Sequence, residues 1–375
     1  MIRPEYFFKL LSDNGISFFT GIPDSLLKDF CLFLLDNVSS SMHIIPANEG
    51  AAVSLACGYH LSKNKIPLVY MQNSGIGNAL NPLLSLADKK VFSIPMMLLV
   101  GWRGEPCIKD EPQHKSQGEV TQPLLETSGI PHLVMENNEE KLILQIDAAC
   151  RHLKNENSPF AFIVRKDIFS QYKSNKNHDN NFLLSREDAI GAVLDRLENN
   201  SIVISTTGMI SRELYEHRER KNQSHSFDFL TVGSMGHASQ IALTVALNSP
   251  EKSVYCFDGD GAALMHLGGL STIGRYKPSN LTHIIFNNAS HDSVGGQPTG
   301  ADKIDFPSLA KSLGFINTAK AENIGDIASF FDKKISGENA LSFFEIRVKK
   351  GSRPDLKRPS ISPIENKLLF MKNFL

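Results

Sequence analysis

The chain lacks the features that would place it in a membrane, on nucleic acid or in an oxidising compartment. No apolar run approaches the roughly 20 residues needed to cross a bilayer. Charged residues interrupt every apolar stretch of the N-terminal segment MIRPEYFFKLLSDNG, so we expect no signal peptide. The net charge of −1 provides no field for nucleic acid or a lipid surface. The five cysteines show no metal-ligand spacing, which indicates reduced thiols in a cytoplasm.

The composition and patterning favour a globular α/β protein. Hydrophobic residues make up 41% and charged residues 21% of the 375 positions, enough for two domains of ordinary size. Strand-like and helix-like segments alternate, which predicts mostly parallel sheets. We predict two doubly wound domains at 1–170 and 185–352, a polar linker at 171–184 and an extended C-terminal arm at 353–375.

The segment 258–299 carries the densest group of candidate ligands. A strand-like run ends at Gly259-Asp260-Gly261, and a second one, at 281–286, ends at Asn287-Asn288. Such a strand–helix–strand unit builds a parallel sheet, and open α/β sheets bind ligands at the carboxyl ends of their strands. Gly-Asp-Gly alone is common in turns, but the spacing between these two strand ends is much more specific.

The residue types at these strand ends suit a magnesium diphosphate. The Asp260 carboxylate, the Asn288 amide oxygen and a following main-chain carbonyl, that of Ser290, would supply three oxygens to octahedral Mg²⁺. Gly259 and Gly261 would allow a diphosphate to approach the backbone closely.

Glu49 is a candidate functional acid. It opens a small-residue helix, AAVSLACGYHL, that is nearly free of charge and is therefore expected to be buried. An acid at a helix start usually faces solvent and complements the helix dipole. A carboxylate leading a buried helix is costly unless it has a partner, so Glu49 is expected to have one.

Two polar segments provide further candidates. Asp24 or Ser25, after a Gly-Ile-Pro turn, is predicted to cap the next helix. Its role is either capping alone or, in addition, presenting a helix N-terminus and a hydroxyl to an anionic ligand. Residues 103–115 are dense in Arg, Lys and His and follow a buried strand. This segment is predicted as a loop, either solvated surface or the cover of a pocket.

The pattern Gly-Asp-Gly, about 25 residues, Asn-Asn resembles the thiamine diphosphate (ThDP) motif. Further stretches are similar to the short, two-domain ThDP-dependent 2-oxo-acid decarboxylases, the phosphonopyruvate decarboxylase family. They are TGIPDSLLKDFC, ANEGAAVSLACGYHL, PMMLLVGWRGEPCIKDEPQH, GSMGHASQIAL and NNASHDSVGGQPT. Larger relatives insert a third domain, for which the short linker leaves no room. The resemblance therefore implies two domains of the ThDP-binding type without a middle domain.

The resemblance also implies roles for individual residues. Glu49 would hydrogen-bond N1′ of the aminopyrimidine, Gly233 would offer its carbonyl to the 4′-amino group, and Met235 would separate the two cofactor rings. It implies self-association, with Glu49 from one chain and the diphosphate domain from another. The remaining cofactor contacts would be Thr207, Gly208, Gly259, Gly261 and Ala262, and the Mg²⁺ ligands would be Asp260, Asn288 and Ser290.

The implied substrate is a small anionic 2-oxo acid. Phosphonopyruvate, with a carboxylate and a phosphonate, needs cations or N–H donors in its pocket. His114 and His291 are also candidate catalytic groups that exchange protons near neutral pH. The substrate-binding candidates are Ser25, Arg103, Lys109, His114 and His291.

Three alternatives to phosphonopyruvate decarboxylation stay open. A sulfopyruvate decarboxylase acts on a substrate of the same shape with one negative charge fewer, and spacing cannot separate the two. A carboligating, acetolactate-synthase-like enzyme usually has the middle domain that is missing here. A non-catalytic ThDP-binding module would have lost the catalytic acid, whereas Glu49 is present.

Overall fold

The chain folds into two compact units, each with its own sheet. The computed structural model describes residues 1–174, 180–336 and 339–374. The first unit comprises Met1–His178 with Val294–Gln297, and the second Asp179–Ser293 with Pro298–Leu375. The sequence-based domain limits remain predictions, and residues 175–179 of the predicted linker lie outside the described residues.

The first unit is built on a six-stranded parallel sheet. Its strands are β1 (Phe19–Gly21), β2 (His43–Ile44), β3 (Leu68–Gln72), β4 (Met97–Gly101), β5 (His132–Val134) and β6 (Phe160–Val164). They lie in the order β2-β1-β3-β4-β6-β5, and every neighbouring pair is parallel. Its helices are α1 (Pro4–Asp13), α2 (Lys28–Asn37), α3 (Glu49–Lys63), α4 (Ile76–Pro82), α5 (Pro112–Thr127) and α6 (Glu139–Asn155).

The second unit repeats this architecture. Its sheet runs through β7 (Ile202–Ser205), β8 (Asp228–Leu230), β9 (Val254–Gly259), β10 (Leu281–Asn287), β13 (Asn317–Ala321) and β14 (Ser342–Arg347). The order is β13-β14-β10-β9-β7-β8, again all parallel. Between β10 and β13 the chain also forms two two-residue strands, β11 (Ser290–His291) and β12 (Gln297–Pro298).

Helices of the second unit follow its strands in alternation, as parallel pairing requires. They are α7 (Arg186–Leu194), α8 (Met209–Arg220), α9 (Ala238–Asn248), α10 (Asp260–Met265), α11 (Gly269–Tyr276), α12 (Phe306–Ser312), α13 (Ile324–Ser336) and α14 (Pro363–Met371). None of the helices in the described part of the chain is long and apolar enough to cross a membrane.

Each sheet is buried on both faces, which explains the unbroken apolar runs of its central strands. Along β3, Leu68 and Tyr70 join one apolar core, whereas Val69 and Met71 join the core on the opposite face. Successive side chains of a strand point to opposite faces, so both cores draw on every central strand. The predicted α/β class with two doubly wound parallel sheets and no middle domain is confirmed.

Two local predictions in the first unit are wrong. Neither Asp24 nor Ser25 caps α2, which begins at Lys28 after Leu27; the Asp24 carboxylate instead accepts the Leu26 N–H at 2.9 Å. His114 was expected in a loop but lies in the first turn of α5. Pro112 starts that helix at its first position, where a missing N–H costs nothing.

The prediction of an extended C-terminal arm is also wrong, because helix α14 forms at Pro363–Met371. Pro363 occupies the first helical position, and Ser362 and Glu365 form a reciprocal capping box. Asn366 and Phe370 are buried. The Asn366 amide donates to the Asp228 carbonyl at 2.8 Å and accepts the Leu230 N–H at 2.9 Å, so it holds α14 against β8.

We predict that Asn366→Ala destabilises the protein by about 2 kcal/mol, because it leaves a buried carbonyl and a buried N–H of β8 without partners. Urea unfolding would measure the change. Lys367→Ala on the exposed side of the same helix is the matched control and should change stability little. Equal stability of the two variants would contradict the anchoring role of Asn366.

Candidate active site

The predicted magnesium ligands lie at one edge of the second sheet. Phe286 of β10 is paired with Gly259 of β9, so the two strands end side by side. Asp260 and Asn288 directly follow these strands, at the edge where parallel sheets place their ligands.

Asp260 is a buried carboxylate. It accepts a hydrogen bond from Thr299 Oγ1 at 2.5 Å. Burial raises the pKa of Asp260 to about 6, against the opposing hydrogen bonds from Thr299 and the Asn288 backbone. A divalent cation beside this carboxylate would favour its ionised form and remove the cost of burying the charge.

The turn after β10 orients the amide of Asn288. Asn288 Oδ1 accepts the Ser290 N–H at 3.0 Å, and its Nδ2 donates to Asp292 Oδ2 at 2.8 Å. Ala289 has φ of 55°, a left-handed conformation that is uncommon for a residue with a Cβ. Ser290 Oγ is buried and finds no hydrogen-bond partner in the described part of the chain.

A buried ion network supports this turn. Arg186 pairs with Glu213 at 2.8 Å and with Asp292 at 3.2 Å, and Asp292 in turn holds the Asn288 amide. Sequence reasoning missed these three residues because nothing in their spacing relates them. The single positive charge of Arg186 thus lies between two carboxylates and pairs with each of them, as buried ions require.

These donors fit a hard divalent cation. The candidate ligands are the Asp260 carboxylate, the Asn288 amide oxygen with one lone pair left, and the main-chain carbonyl of Ser290; the buried Ser290 hydroxyl, without a partner among the described residues, lies on the same residue. Oxygen ligands of this kind select Mg²⁺ rather than softer metals.

A different group of potential ligand atoms lies inside the sheet. Cys256 and His283 are paired across β9 and β10, and Asp258 lies on the same face. His283 Nε2 is 3.3 Å from Asp258 Oδ2. Sequence spacing did not indicate this group because it depends on the strand register.

The predicted contacts of the cofactor rings and diphosphate share a turn-rich region of the second unit. Thr207 Oγ1 accepts the Gly233 N–H at 3.0 Å. Gly208 has φ of 94° and ψ of −138°, a conformation essentially restricted to glycine. Met235 and Gly233 are half-buried. The loop that holds Met235 is therefore connected to the N-terminal end of α8.

Gly261 lies against His291. A Cβ on Gly261 would be 3.3 Å from the imidazole and 3.2 Å from Thr299, so the absence of a side chain here lets both groups pack closely beside Asp260. Ala262, which follows, is buried. Burial lowers the pKa of His291 to about 4. The imidazole is therefore neutral at neutral pH, which does not fit the expectation of proton exchange there.

Glu49 begins α3 in the first unit and is buried as predicted. Asn48 caps the helix by accepting the Ala51 N–H at 2.9 Å, and Asn78 Nδ2 donates to Glu49 Oε2 at 2.9 Å. Burial raises the pKa of Glu49, and the bond from Asn78 only partly opposes this. Gly75 packs against the same carboxyl, where a Cβ would overlap Oε1.

Arg103 joins Ser25 in a second cluster of the first unit. Its Nε and Nη2 donate to the Asp110 carboxylate at 2.8 and 2.5 Å, and its Nη1 donates to Ser25 Oγ at 2.9 Å. Its carbonyl accepts Asn73 Nδ2 at 2.8 Å. Asp110 was not a predicted site residue, although it lies within the charged segment 103–115.

Two other predicted substrate residues differ in their surroundings. His114 is buried with Nδ1 unpaired among the described residues, and burial and the nearby Arg103 charge lower its pKa. Lys109 is exposed on the loop before α5. The structure therefore brings Ser25, Arg103 and Asp110 into direct contact, places His114 within the influence of the Arg103 charge, and leaves Lys109 at the surface.

Comparison with known proteins identifies the class of protein to which the chain belongs. Residues 4–125 match the family model described as thiamine pyrophosphate enzyme, N-terminal TPP binding domain. Residues 206–346 match the corresponding C-terminal TPP binding domain. The chain is thus a thiamine-diphosphate enzyme in which Glu49 lies in the N-terminal match and Asp260 in the C-terminal one.

Individual relatives, two of which match nearly the whole chain, define the class of enzyme more closely. The phosphonopyruvate decarboxylase of Streptomyces viridochromogenes is 30% identical over 95% of this chain and 90% of its own length. A sulfopyruvate decarboxylase of Methanosarcina acetivorans is 28% identical over 94% and 93%. The beta subunit of sulfopyruvate decarboxylase from Methanothermobacter thermautotrophicus is 41% identical over 45% of this chain and 85% of its own length.

The chain therefore belongs to the short, two-domain ThDP-dependent 2-oxo-acid decarboxylases, the phosphonopyruvate decarboxylase family. It is an enzyme, a carbon–carbon lyase, and ThDP is its cofactor.

We predict that Gly75→Ala lowers kcat by about 10²-fold or more, because the new methyl displaces the Glu49 carboxyl without removing it. Backbone strain is not the cause, since Gly75 has φ of −75° and ψ of −13°. The measurement is steady-state decarboxylation at saturating ThDP and Mg²⁺.

Gly77→Ala is the matched control for this change. A Cβ at Gly77 meets nothing within 4 Å, and alanine favours the helix in which it lies. If the Gly75 and Gly77 variants turn over equally fast, the position of the Glu49 carboxyl does not limit the reaction.

Proposed function

We propose that the protein catalyses the ThDP- and Mg²⁺-dependent, non-oxidative decarboxylation of 3-phosphonopyruvate to phosphonoacetaldehyde and CO₂. The observation that carries this proposal is the near full-length similarity to a phosphonopyruvate decarboxylase. The Ser25–Arg103 contact supports it, because a substrate with two anionic groups requires a cation with free N–H donors.

Bound ThDP supplies the electron sink that accepts the electrons left behind by CO₂. The chain's own contribution begins at Glu49. With Oε2 held by Asn78, the buried carboxyl has Oε1 available to exchange a proton with the aminopyrimidine ring nitrogen. Its raised pKa favours the transfer, because the proton affinities of acid and ring become closer.

The residues around Asp260 would hold the cofactor's diphosphate through the metal. Asp260, Asn288 and Ser290 supply oxygen ligands, and Asp292 and Arg186 keep the Asn288 amide in one orientation. Gly259 and Gly261, which have no Cβ, would let the diphosphate approach the backbone beside Asp260. Thr207, Gly208, Gly233, Met235, Gly259 and Ala262 are proposed as the remaining cofactor contacts.

Arg103 is the proposed binding site of the substrate's phosphonate, and this site is called the Arg103 seat. Its side-on bonds to Asp110 fix the guanidinium plane, and the hydrogens left on its terminal nitrogens remain for a second anion. Ser25 and the neutral imidazole of His114 would add polar contacts. Lys109, being exposed, would contribute only long-range attraction, and His291 would act as a neutral hydrogen-bonding group.

We also propose self-association, as the family resemblance implies, with Glu49 of one copy serving the metal site of another. Its support is that the two groups belong to separate compact units. A cytoplasmic location is proposed on the five free cysteines.

Sulfopyruvate decarboxylation is the second candidate, supported by a relative that matches almost the whole chain. A sulfonate could occupy the same Arg103 seat. Carboligation of the acetolactate-synthase type is less favoured, since the chain has no middle domain.

The deciding experiment measures aldehyde and CO₂ release from phosphonopyruvate and sulfopyruvate under identical conditions. We expect a kcat/KM for phosphonopyruvate at least about tenfold higher, a difference of about 1.4 kcal/mol in transition-state binding. Preference for sulfopyruvate would replace the first assignment with the second. Formation of a longer keto acid instead of an aldehyde would indicate carboligation.

We predict that Asp260→Asn loses the thermal stabilisation given by ThDP with Mg²⁺, because the neutral amide cannot compensate the cation's charge. Wild-type protein should gain about 2.7 kcal/mol at a ligand concentration 100 times Kd. Calorimetric melting scans would measure it, with the exposed Asp302→Asn as the control. An undiminished shift in Asp260→Asn would exclude this residue as a metal ligand.

A further inference from the structure

Asp24 is a buried acid that the proposed mechanism does not use. Its side chain is 0% exposed, Oδ1 accepts the Leu26 N–H, and Oδ2 has no hydrogen-bond partner within the described residues. Gly101 at the end of β4 lies against it, since a Cβ there would overlap Oδ1. The carboxyl is therefore enclosed between β4 and the turn before α2, with one oxygen unsatisfied.

The charged groups around Asp24 centre on Arg103. Arg103 and Asp110 both act electrostatically on Asp24, Cys31 of α2 contacts the Asp24 backbone, and the Glu111 carboxylate acts electrostatically on Arg103. Burial alone would raise the pKa of Asp110, but hydrogen bonds from Arg103, Glu111 N–H and Gly104 N–H hold it well below its usual range. Burial raises the pKa of the Cys31 thiol, which stays neutral.

Arg103 and Asp110 thus form a pair of fixed, opposite charges, and the net charge of the seat depends on Asp24. Burial raises the pKa of Asp24 to about 6, even though the Leu26 N–H and Arg103 oppose this. Above that pH the three groups carry one net negative charge, which opposes an incoming anion. Below it they are neutral overall.

We propose that Asp24 is a positioning residue that acts through Arg103: the anionic head of the substrate binds at Arg103 together with the uptake of one proton by Asp24. The proposal rests on the proposed role of Arg103 as the seat of the phosphonate or sulfonate. Asp24 itself does not touch the substrate, because its atoms are enclosed. It sets the charge that the substrate's distal group encounters.

The direction of the pH effect on anion binding follows from its coupling to the protonation of Asp24. An anion bound beside Arg103 raises the proton affinity of Asp24, so binding is tightest where Asp24 is already protonated. The dissociation constant should be constant below about pH 6. It should rise above that pH by up to about tenfold per pH unit, the limit for uptake of a single proton.

The experiment measures the Kd of 3-sulfopropanoate for the ThDP–Mg²⁺ holoenzyme by calorimetry across this pH range. This non-reacting three-carbon sulfonate has no group that titrates near neutral pH, so the phosphonate's own ionisation does not interfere. Repeating the titration in buffers of different ionisation enthalpy counts the protons taken up. We expect uptake approaching one proton in the wild type above about pH 6.

Asp24→Asn should bind with a Kd that is nearly independent of pH, and tighter than wild type at alkaline pH. Its melting temperature should be at least that of the wild type at neutral pH, because it no longer buries a charge. Arg103→Lys, compared with the exposed Arg151→Lys, tests the seat itself and should weaken binding at every pH.

Three outcomes would overturn the proposal. The first is that sulfonate binding to the wild type takes up no proton, and the second is that the Kd of Asp24→Asn varies with pH as it does in the wild type. The third is that the pH dependence of Kd disappears in His114→Asn but persists in Asp24→Asn, which would assign the proton to His114. The proposed function fails separately, if phosphonopyruvate yields no aldehyde while the sulfonate still binds at Arg103. Unaltered binding in Arg103→Lys would reject both the seat and the role of Asp24.

Discussion

The structure depends on one constraint: a carboxylate that is taken out of water must find a compensating charge. Asp260 and Glu49 are buried at the starts of helices that follow or flank parallel strands, and each has a raised pKa caused by burial. Neither has a basic side chain as its hydrogen-bond partner; Thr299 and Asn78 are neutral. We propose that a ligand supplies this compensation, a metal ion at Asp260 and the aminopyrimidine ring of the cofactor at Glu49. This dependence makes the fold receptive to a charged cofactor.

Parallel sheets explain why these acids are located where they are. Strands covered on both faces carry mostly apolar side chains, with exceptions such as Asp258 and His283, so many of the polar groups lie beyond the last residue of a strand. The paired ends of β9 and β10 therefore bring together residues that are more than twenty positions apart in sequence. Supporting groups such as Asp292 and Arg186 then fix the orientation of side chains that the sheet has only brought near one another.

The parts of the site that sequence reasoning could predict are those whose chemistry is local. Asp260 and Asn288 were identifiable because each follows an apolar strand at a recognisable turn, and Glu49 because it precedes a charge-free helix. Asp110 and Arg186 were not identifiable, since their role depends on a partner brought near by folding. The C-terminal tail was predicted as extended, but Pro363 occupies the first position of α14, which proline favours.

The helix at the C-terminus has a consequence for the solubility of the second unit. β8 is an edge strand, and edge strands expose unpaired N–H and C=O groups that recruit strands of other molecules. Asn366 uses one amide side chain to occupy both kinds of group, at Leu230 and Asp228. A segment outside the sheet thereby closes the template for intermolecular β-pairing. Detachment of α14 would expose this edge strand to pairing with strands of other molecules.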